Sequence, residues 1–124
     1  HHLAFKYNEP KLCHVDANLR NIVYSNNKIF HIDFEMGREY ESISMWAQRE
    51  ISKLLISLLN NIPVSERDNV VGLFCNIYEH TCVINSLIKS KLRKIKLNRH
   101  KDSGSHNYAL VSLARDLQIH KQNK

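Results

Sequence analysis

The stretch that decides the fold is LCHVDANLRNIVYSNNKIFHIDFE, residues 12–35. Two runs of β-branched and aromatic residues, NIVYS and KIFHIDF, are separated by Asn26 and Asn27. Because Asn tolerates the left-handed backbone conformation, this pattern predicts a β-hairpin with a tight turn at the two Asn residues. Alternation along the second strand predicts that three of its residues point to one face: Ile29, His31 and Asp33.

Polar groups stand on either side of this hairpin. Asp16 and Asn21 precede it, and Asp33 comes at the end of its second run. The hairpin should bring these groups to the same end of two paired strands. An Asp on a loop can accept a proton from a substrate hydroxyl, and amide and carboxylate oxygens suit Mg²⁺. Phosphoryl transfer needs such a base and such oxygen ligands.

Here the sequence resembles the protein-kinase-like superfamily. The superfamily's catalytic-loop pattern His-x-Asp-x-x-x-x-Asn is present as His14, Asp16 and Asn21, and Asp33-Phe34-Glu35 follows the hairpin where the family has Asp-Phe-Gly or a variant. The resemblance implies that Asp16 is the catalytic base and His14 a packing element of the catalytic loop. It implies that Asn21 and Asp33 hold Mg²⁺ and that ATP is the phosphoryl donor.

The branch of the superfamily is set by the residues around these motifs. The Asp-Phe-Glu ending is similar to the choline kinase and aminoglycoside phosphotransferase group, which implies a hydroxyl of a small molecule as acceptor. That group often has Asp-Leu-Ala or Asp-Ile-Ala in the next helix, where this chain has QREISKLL. Eukaryotic Ser/Thr kinases usually carry Lys where Asn18 stands. The kinase-like subunit of the tRNA threonylcarbamoylation complex is an alternative, although its usual ending is Asp-Phe-Gly.

Two further residues of this segment have open roles. Arg20 can pair with Asp16 or with substrate, so it joins the candidate catalytic residues, or it can be a solvated surface side chain. Glu35 can add a carboxylate to the metal site or cap the following turn.

Apolar periodicity predicts helices from about residue 44 onward. A first apolar stripe runs through Ala47, Ile51 and Leu55 to Ile62, and Pro63 ends this predicted helix. Ser65 as N-cap with Asp68 in the first turn suggests the start of a second helix. Two more apolar stripes follow: one through Ile84, Leu87, Ile88, Leu92 and Ile95, and one with Leu110, Leu113, Ala114 and Leu117.

The predicted fold class is therefore mainly α with a small β-hairpin (α+β), and the resemblance implies a kinase-like C-terminal lobe. We expect a single lobe over 1–124, with the catalytic loop, hairpin and metal-binding segment at 11–40 and the helical part at 44–120. By resemblance, nucleotide phosphates need an N-terminal lobe with a Gly-rich loop and a strand Lys. The three glycines at 37, 72 and 104 make no such loop. We therefore expect the N-lobe to be absent from this chain and present in the rest of a larger kinase, and residues 1–124 alone to have little kinase activity.

The charge of the chain is concentrated in one segment. The formal net charge of the chain is +6, and the segment KSKLRKIKLNRHK at 89–101 alone holds seven Lys or Arg and no acid. Such a run is usually a solvated helix face. The alternative is a surface for an anionic partner, formed by Lys91, Arg93, Lys94 and Lys96.

Composition limits the class of protein. Hydrophobic residues make up 43% and charged residues 24% of 124 residues, which is ordinary for a globular domain. Three Cys without a dense framework argue against a disulfide scaffold and favour a reducing compartment, most simply the cytoplasm. No apolar run is long enough to cross a bilayer. The rival to an enzyme is a kinase-derived lobe that serves as a non-catalytic binding or scaffold domain.

Overall fold

The chain is mainly helical with one two-stranded antiparallel hairpin. The computed structural model describes residues 1–37, 40–97, 117 and 119, with the backbone alone for 91–97. Its elements in chain order are α1 (His2–Tyr7), two 3₁₀ turns (Pro10–Leu12 and Leu19–Asn21), β1 (Ile22–Ser25), β2 (Lys28–His31), α2 (Ile43–Leu59), α3 (Val64–Ile77) and α4 (Thr81–Leu97). The α+β class predicted from the sequence is confirmed.

The predicted hairpin is confirmed together with its turn. β1 and β2 pair from Ile22 opposite His31 to Ser25 opposite Lys28. Asn26 and Asn27 between them have φ angles of 49° and 58°, the left-handed conformations that a two-residue hairpin turn of this kind requires.

The second strand is shorter than the sequence predicts. It ends at His31, and Asp33 has a φ of 52°. A left-handed residue turns the chain out of the extended conformation, so the alternation of side chains stops there. The prediction that Asp33 shares a strand face with Ile29 and His31 is therefore wrong.

A second antiparallel pairing joins the segments on either side of the hairpin. Val15 N–H donates to Glu35 O at 2.9 Å, and Gly37 N–H donates to Cys13 O at 3.0 Å. The backbone around Gly37 also approaches Pro10 so closely that a Cβ there would lie 2.2 Å from the Pro10 carbonyl oxygen. Only glycine fits this approach without a shift of the neighbouring backbone.

The first compact unit, residues 1–58, is built around one buried cluster. Ala4, Cys13, Ile43 and Trp46 form it, and Phe5 and Val15 pack against it. α2 buries the apolar stripe that its periodicity predicts, with Ala47, Ile51 and Leu55 all at most 3% exposed. The polar loop, residues 13–21, is thus held at its start by the buried Cys13 and at its end by the 3₁₀ turn that leads into β1.

The second compact unit, residues 59–124, contains α3 and α4. α2 ends at Leu59, so Ile62 lies outside it, and Pro63 rather than Ser65 immediately precedes the next helix. The lack of an N–H on Pro63 costs nothing at a helix start, which explains the earlier boundary. In this unit Val71, Cys75, Val83, Ile84, Leu87 and Ile88 are buried.

The last predicted helix lies largely outside the described residues, including Leu110, Leu113 and Ala114; Leu117 is helical and buried. Among the residues that the structure describes, no helix has the length and apolar character needed to cross a membrane.

Candidate catalytic site

One face of α2 holds the polar loop, residues 13–21. Glu50 accepts a hydrogen bond from the His14 N–H at 2.9 Å through Oε2, and Ser57 Oγ accepts one from the Leu19 N–H at 3.2 Å. Lys53 lies between them at helical spacing and also contacts the loop. The backbone of the loop is therefore attached to α2 at His14, Val15 and Leu19.

The carboxylate of Asp16 has a donor on each oxygen. Lys53 Nζ lies 2.9 Å from Oδ1 and also donates to the Val15 carbonyl at 2.9 Å. Oδ2 accepts from Asn18 Nδ2 at 3.0 Å and from Asn21 Nδ2 at 3.2 Å. The hydrogen bonds from Lys53 and then Asn18 are the main causes that lower the pKa of Asp16. Asp16 is consequently ionised at neutral pH.

The cation on Asp16 is not the one that the sequence suggested. Lys53 makes the ion pair, whereas Arg20, the residue weighed for this role, is exposed and gives its backbone N–H to Asn18 Oδ1 at 2.9 Å. Arg20 is the middle residue of the 3₁₀ turn Leu19–Asn21, close to Asp16 in sequence. Lys53 is 37 positions from Asp16 in sequence and reaches it only through the fold.

His14 is a buried ring between the loop and the hairpin. It is 2% exposed, and its ring centroid lies 4.8 Å from that of Phe34 and 5.5 Å from that of His31. Its Nδ1 accepts the Asp16 N–H at 3.3 Å, which assigns the proton of the neutral ring to Nε2. Nε2 is buried without a hydrogen-bond partner among the described residues. The His14 ring therefore links the backbone of Asp16 to Phe34, the residue after Asp33.

Asn21 connects Asp16 to the end of the hairpin. Its Nδ2 donates to the Asp16 carbonyl at 2.9 Å as well as to Oδ2, and its own carbonyl accepts the Ile32 N–H at 2.9 Å. Asp33 follows directly, exposed and left-handed. Because the amide nitrogen of Asn21 is used on Asp16, the amide oxygen is the atom it can offer to an ion. That oxygen and the Asp33 carboxylate are a donor set of the kind Mg²⁺ prefers.

The remaining predicted residues are less tied to this site. Glu35 is exposed and contributes its carbonyl, not its side chain, to the pairing with Val15, so both roles suggested for the carboxylate stay open. Lys91, Arg93, Lys94 and Lys96 lie on the helical backbone of α4, and their side chains are outside the described part of the chain.

A buried group beside the loop was missed by sequence reasoning. Glu50 also lies 2.8 Å from His1 Nε2, and the ligand atoms of His1, Cys13 and Glu50 are within 4.8 Å of one another. Burial raises the pKa of Glu50, and burial with the nearby Glu50 charge raises the pKa of Cys13 to about 11. Cys13 is thus a protonated core thiol at neutral pH and not a nucleophile.

The sequence does contain a signal for the residues of α2. Glu50, Lys53 and Ser57 are polar residues spaced by three and four, which places them on one face of a helix. A polar stripe opposite an apolar one is what any amphipathic helix has, so this signal places the three residues on one face without showing that the loop contacts them.

A separate groove of about 680 Å³ lies elsewhere in the first unit, lined by Phe5 and by residues 8–10 and 40–44. It includes none of the predicted site residues.

Comparisons with known proteins add no family. No protein-family model, curated protein or solved structure matches the chain, so a functional conclusion has to rest on the geometry of the polar loop and hairpin.

Proposed function

We propose that this chain is the C-terminal catalytic lobe of an ATP- and Mg²⁺-dependent phosphotransferase that acts on a hydroxyl of a small molecule. The observation that carries the proposal is the link from Asp16 through Asn21 to the residue before Asp33. Two side-chain hydrogen bonds and one backbone hydrogen bond make this link. A base and two oxygen ligands are thereby attached to one end of the hairpin, as the kinase resemblance requires.

Asp16 is the residue that receives the acceptor hydroxyl. In the transfer, the hydroxyl oxygen forms a bond to the γ-phosphorus of ATP, and the β–γ bridging oxygen leaves with its electron pair on ADP. The proton passes to the Asp16 carboxylate. Since the pKa of Asp16 is lowered, it is a weak base. It accepts the proton late and mainly orients the hydroxyl, in keeping with a reaction whose catalysis is positioning and charge neutralisation.

Asn21 and Asp33 are the proposed ligands of Mg²⁺. When bound, the ion would supply positive charge that offsets the negative charge of the phosphates during transfer. The buried His14 ring supports the arrangement, because it packs against Phe34 while accepting the Asp16 N–H.

The partners that follow are the nucleotide, an acceptor alcohol and an N-lobe elsewhere in the protein. The three cysteines, all within the described residues, form no disulfide, which is compatible with the cytoplasmic location that we propose.

Two substitutions test the assignment in the full-length protein. Asp16→Asn removes the proton acceptor, so turnover should fall by about 10²- to 10⁴-fold while Mg-ATP binding survives. Asp33→Asn removes a metal-binding charge, so the Mg²⁺ concentration for half-maximal turnover should rise as turnover falls. Asp68→Asn, an exposed Asp in α3, is the matched control and should behave as wild type.

Turnover is measured as transfer of labelled γ-phosphate from ATP to a cell extract separated into small-molecule and protein fractions. Label in the small-molecule fraction that depends on Asp16 supports the proposal. Asp16-dependent label in the protein fraction alone would replace the acceptor with a protein. If label transfer is the same in wild type and both site variants, the domain is the non-catalytic rival.

A further inference from the structure

Lys53 makes more than an exposed ion pair. Its side chain is 47% exposed and that of Asp16 is 41% exposed, and a pair of this kind alone contributes little to stability. Its ammonium, however, contacts two consecutive residues of the polar loop, the Val15 carbonyl and Asp16 Oδ1, both at 2.9 Å. The neighbouring positions on the same helix face, Glu50 and Ser57, bind the same loop.

The hydrogen bonds of Asp16 leave one oxygen for a substrate. A carboxylate has about four lone-pair positions, two on each oxygen. Among the described residues, Asn18 and Asn21 use both positions of Oδ2, and Lys53 uses one position of Oδ1. The acceptor position that remains is on Oδ1, beside the Lys53 ammonium.

We propose that the acceptor hydroxyl is received at Asp16 Oδ1 and that Lys53 is the positioning residue that aims this oxygen at it. The inference rests on the proposed phosphotransfer and adds to it a specific oxygen and a residue from another element. Lys53 fixes the carboxylate from one side while the two Asn amides fix it from the other. The carboxylate therefore does not rotate when a hydroxyl binds.

A fixed cation at this point has a second consequence. The proton of the hydroxyl passes to Oδ1 late, as the oxygen–phosphorus bond forms, and negative charge is spread over the oxygens of the transferred phosphoryl group. A preorganised ammonium next to Oδ1 stabilises that charge without reorganisation. Lys53 thus acts on the turnover rate through Asp16 and has little to do with nucleotide affinity.

The test uses the full-length protein with Lys53→Met, Lys53→Arg and the control Lys6→Met, an exposed Lys of α1. The probe is Mg-ATP with water as acceptor, and ADP release is measured against pH. Lys53→Met should lower kcat by about 10- to 100-fold, the scale of a misplaced reacting group, with KM for ATP within about twofold. The acid limb of its pH profile should move to higher pH. Lys53→Arg should restore part of kcat, and Lys6→Met should match wild type.

A second measurement does not depend on turnover. The Asp16 carboxyl is titrated by ¹³C NMR, with Asp16→Asn as the assignment reference, and its pKa should rise in Lys53→Met and stay low in Lys53→Arg. If Lys53→Met turns over ATP as fast as wild type, the role of Lys53 is overturned and the proposed function stands. A Lys53-dependent carboxyl pKa in a protein without ATP turnover would overturn the proposed function, and with it the role of Lys53.

Discussion

Glu50 should hold the polar loop in place because its side-chain oxygen accepts a backbone hydrogen bond. Its negative charge should contribute little to the stability of the fold. Its Oε2 accepts the backbone N–H of His14, a residue that is 2% exposed, at 2.9 Å. Glu50→Ala leaves this N–H without its acceptor in a place that water does not reach. Glu50→Gln keeps one oxygen at the same distance along the side chain for the His14 N–H, removes the charge and replaces the other oxygen with an amide nitrogen.

The size of the effect follows from this difference. A buried donor left without a partner costs about 1–3 kcal/mol of unfolding free energy. At a urea m-value of about 2 kcal/mol/M, a loss of 2 kcal/mol lowers the midpoint by about 1 M. Burial raises the pKa of Glu50, which means that its charge is already disfavoured in the fold. Glu50→Gln should therefore stay within about 1 kcal/mol of wild type at pH 7.

The assay is urea unfolding of wild type, Glu50→Ala and Glu50→Gln, followed by circular dichroism. Amide hydrogen exchange then shows which part of the chain changes. Exchange should quicken in residues 13–21 of Glu50→Ala. Gln48→Ala on the same helix is the control. It removes a hydrogen bond to Ser44 within α2, not a contact with the loop among the described residues, and it should shift the midpoint little. An equal loss in Glu50→Gln and Glu50→Ala would refute the reasoning, because the charge would then be what holds the loop.

Two further predictions concern other contacts of the first unit. Gly37→Ala should lower the unfolding free energy by about 1–3 kcal/mol, because its Cβ would lie 2.2 Å from the Pro10 carbonyl oxygen. Gly72→Ala, the same change inside α3, is the control and should not lower it. The urea midpoints of the two variants are compared directly. The lowered pKa of Asp16 predicts a contribution to stability that is present above the ordinary Asp pKa of 3.8 and is lost as the pH falls through the folded-state value. The stability difference between wild type and Lys53→Met should accordingly shrink between pH 6 and pH 3, and a difference that grows on acidification would contradict the assignment.

The sequence by itself determined the local parts of this fold. Asn26 and Asn27 fixed the hairpin, because a tight turn needs left-handed residues and few residues adopt that conformation easily. The apolar stripe through Ala47, Ile51 and Leu55 predicted α2, since burial of one face is what stabilises such a helix. The spacing of Asp16 and Asn21 likewise placed two polar groups within one loop, where their side chains now meet.

Only the tertiary structure decided what surrounds Asp16. Lys53 and Glu50 lie 37 and 36 positions from the loop residues that they contact, and no local periodicity encodes a contact over that distance. Arg20, four positions from Asp16 in sequence, was the natural partner on local grounds. Packing of α2 against the loop brings Lys53 to the carboxylate instead. The left-handed turn at Asp33 has the same origin, because pairing of the segment after it with the start of the loop forces the chain out of the strand. Local conformational preference determines where each helix and strand forms. The burial of α2 and the pairing of segments distant in sequence determine which residues surround Asp16.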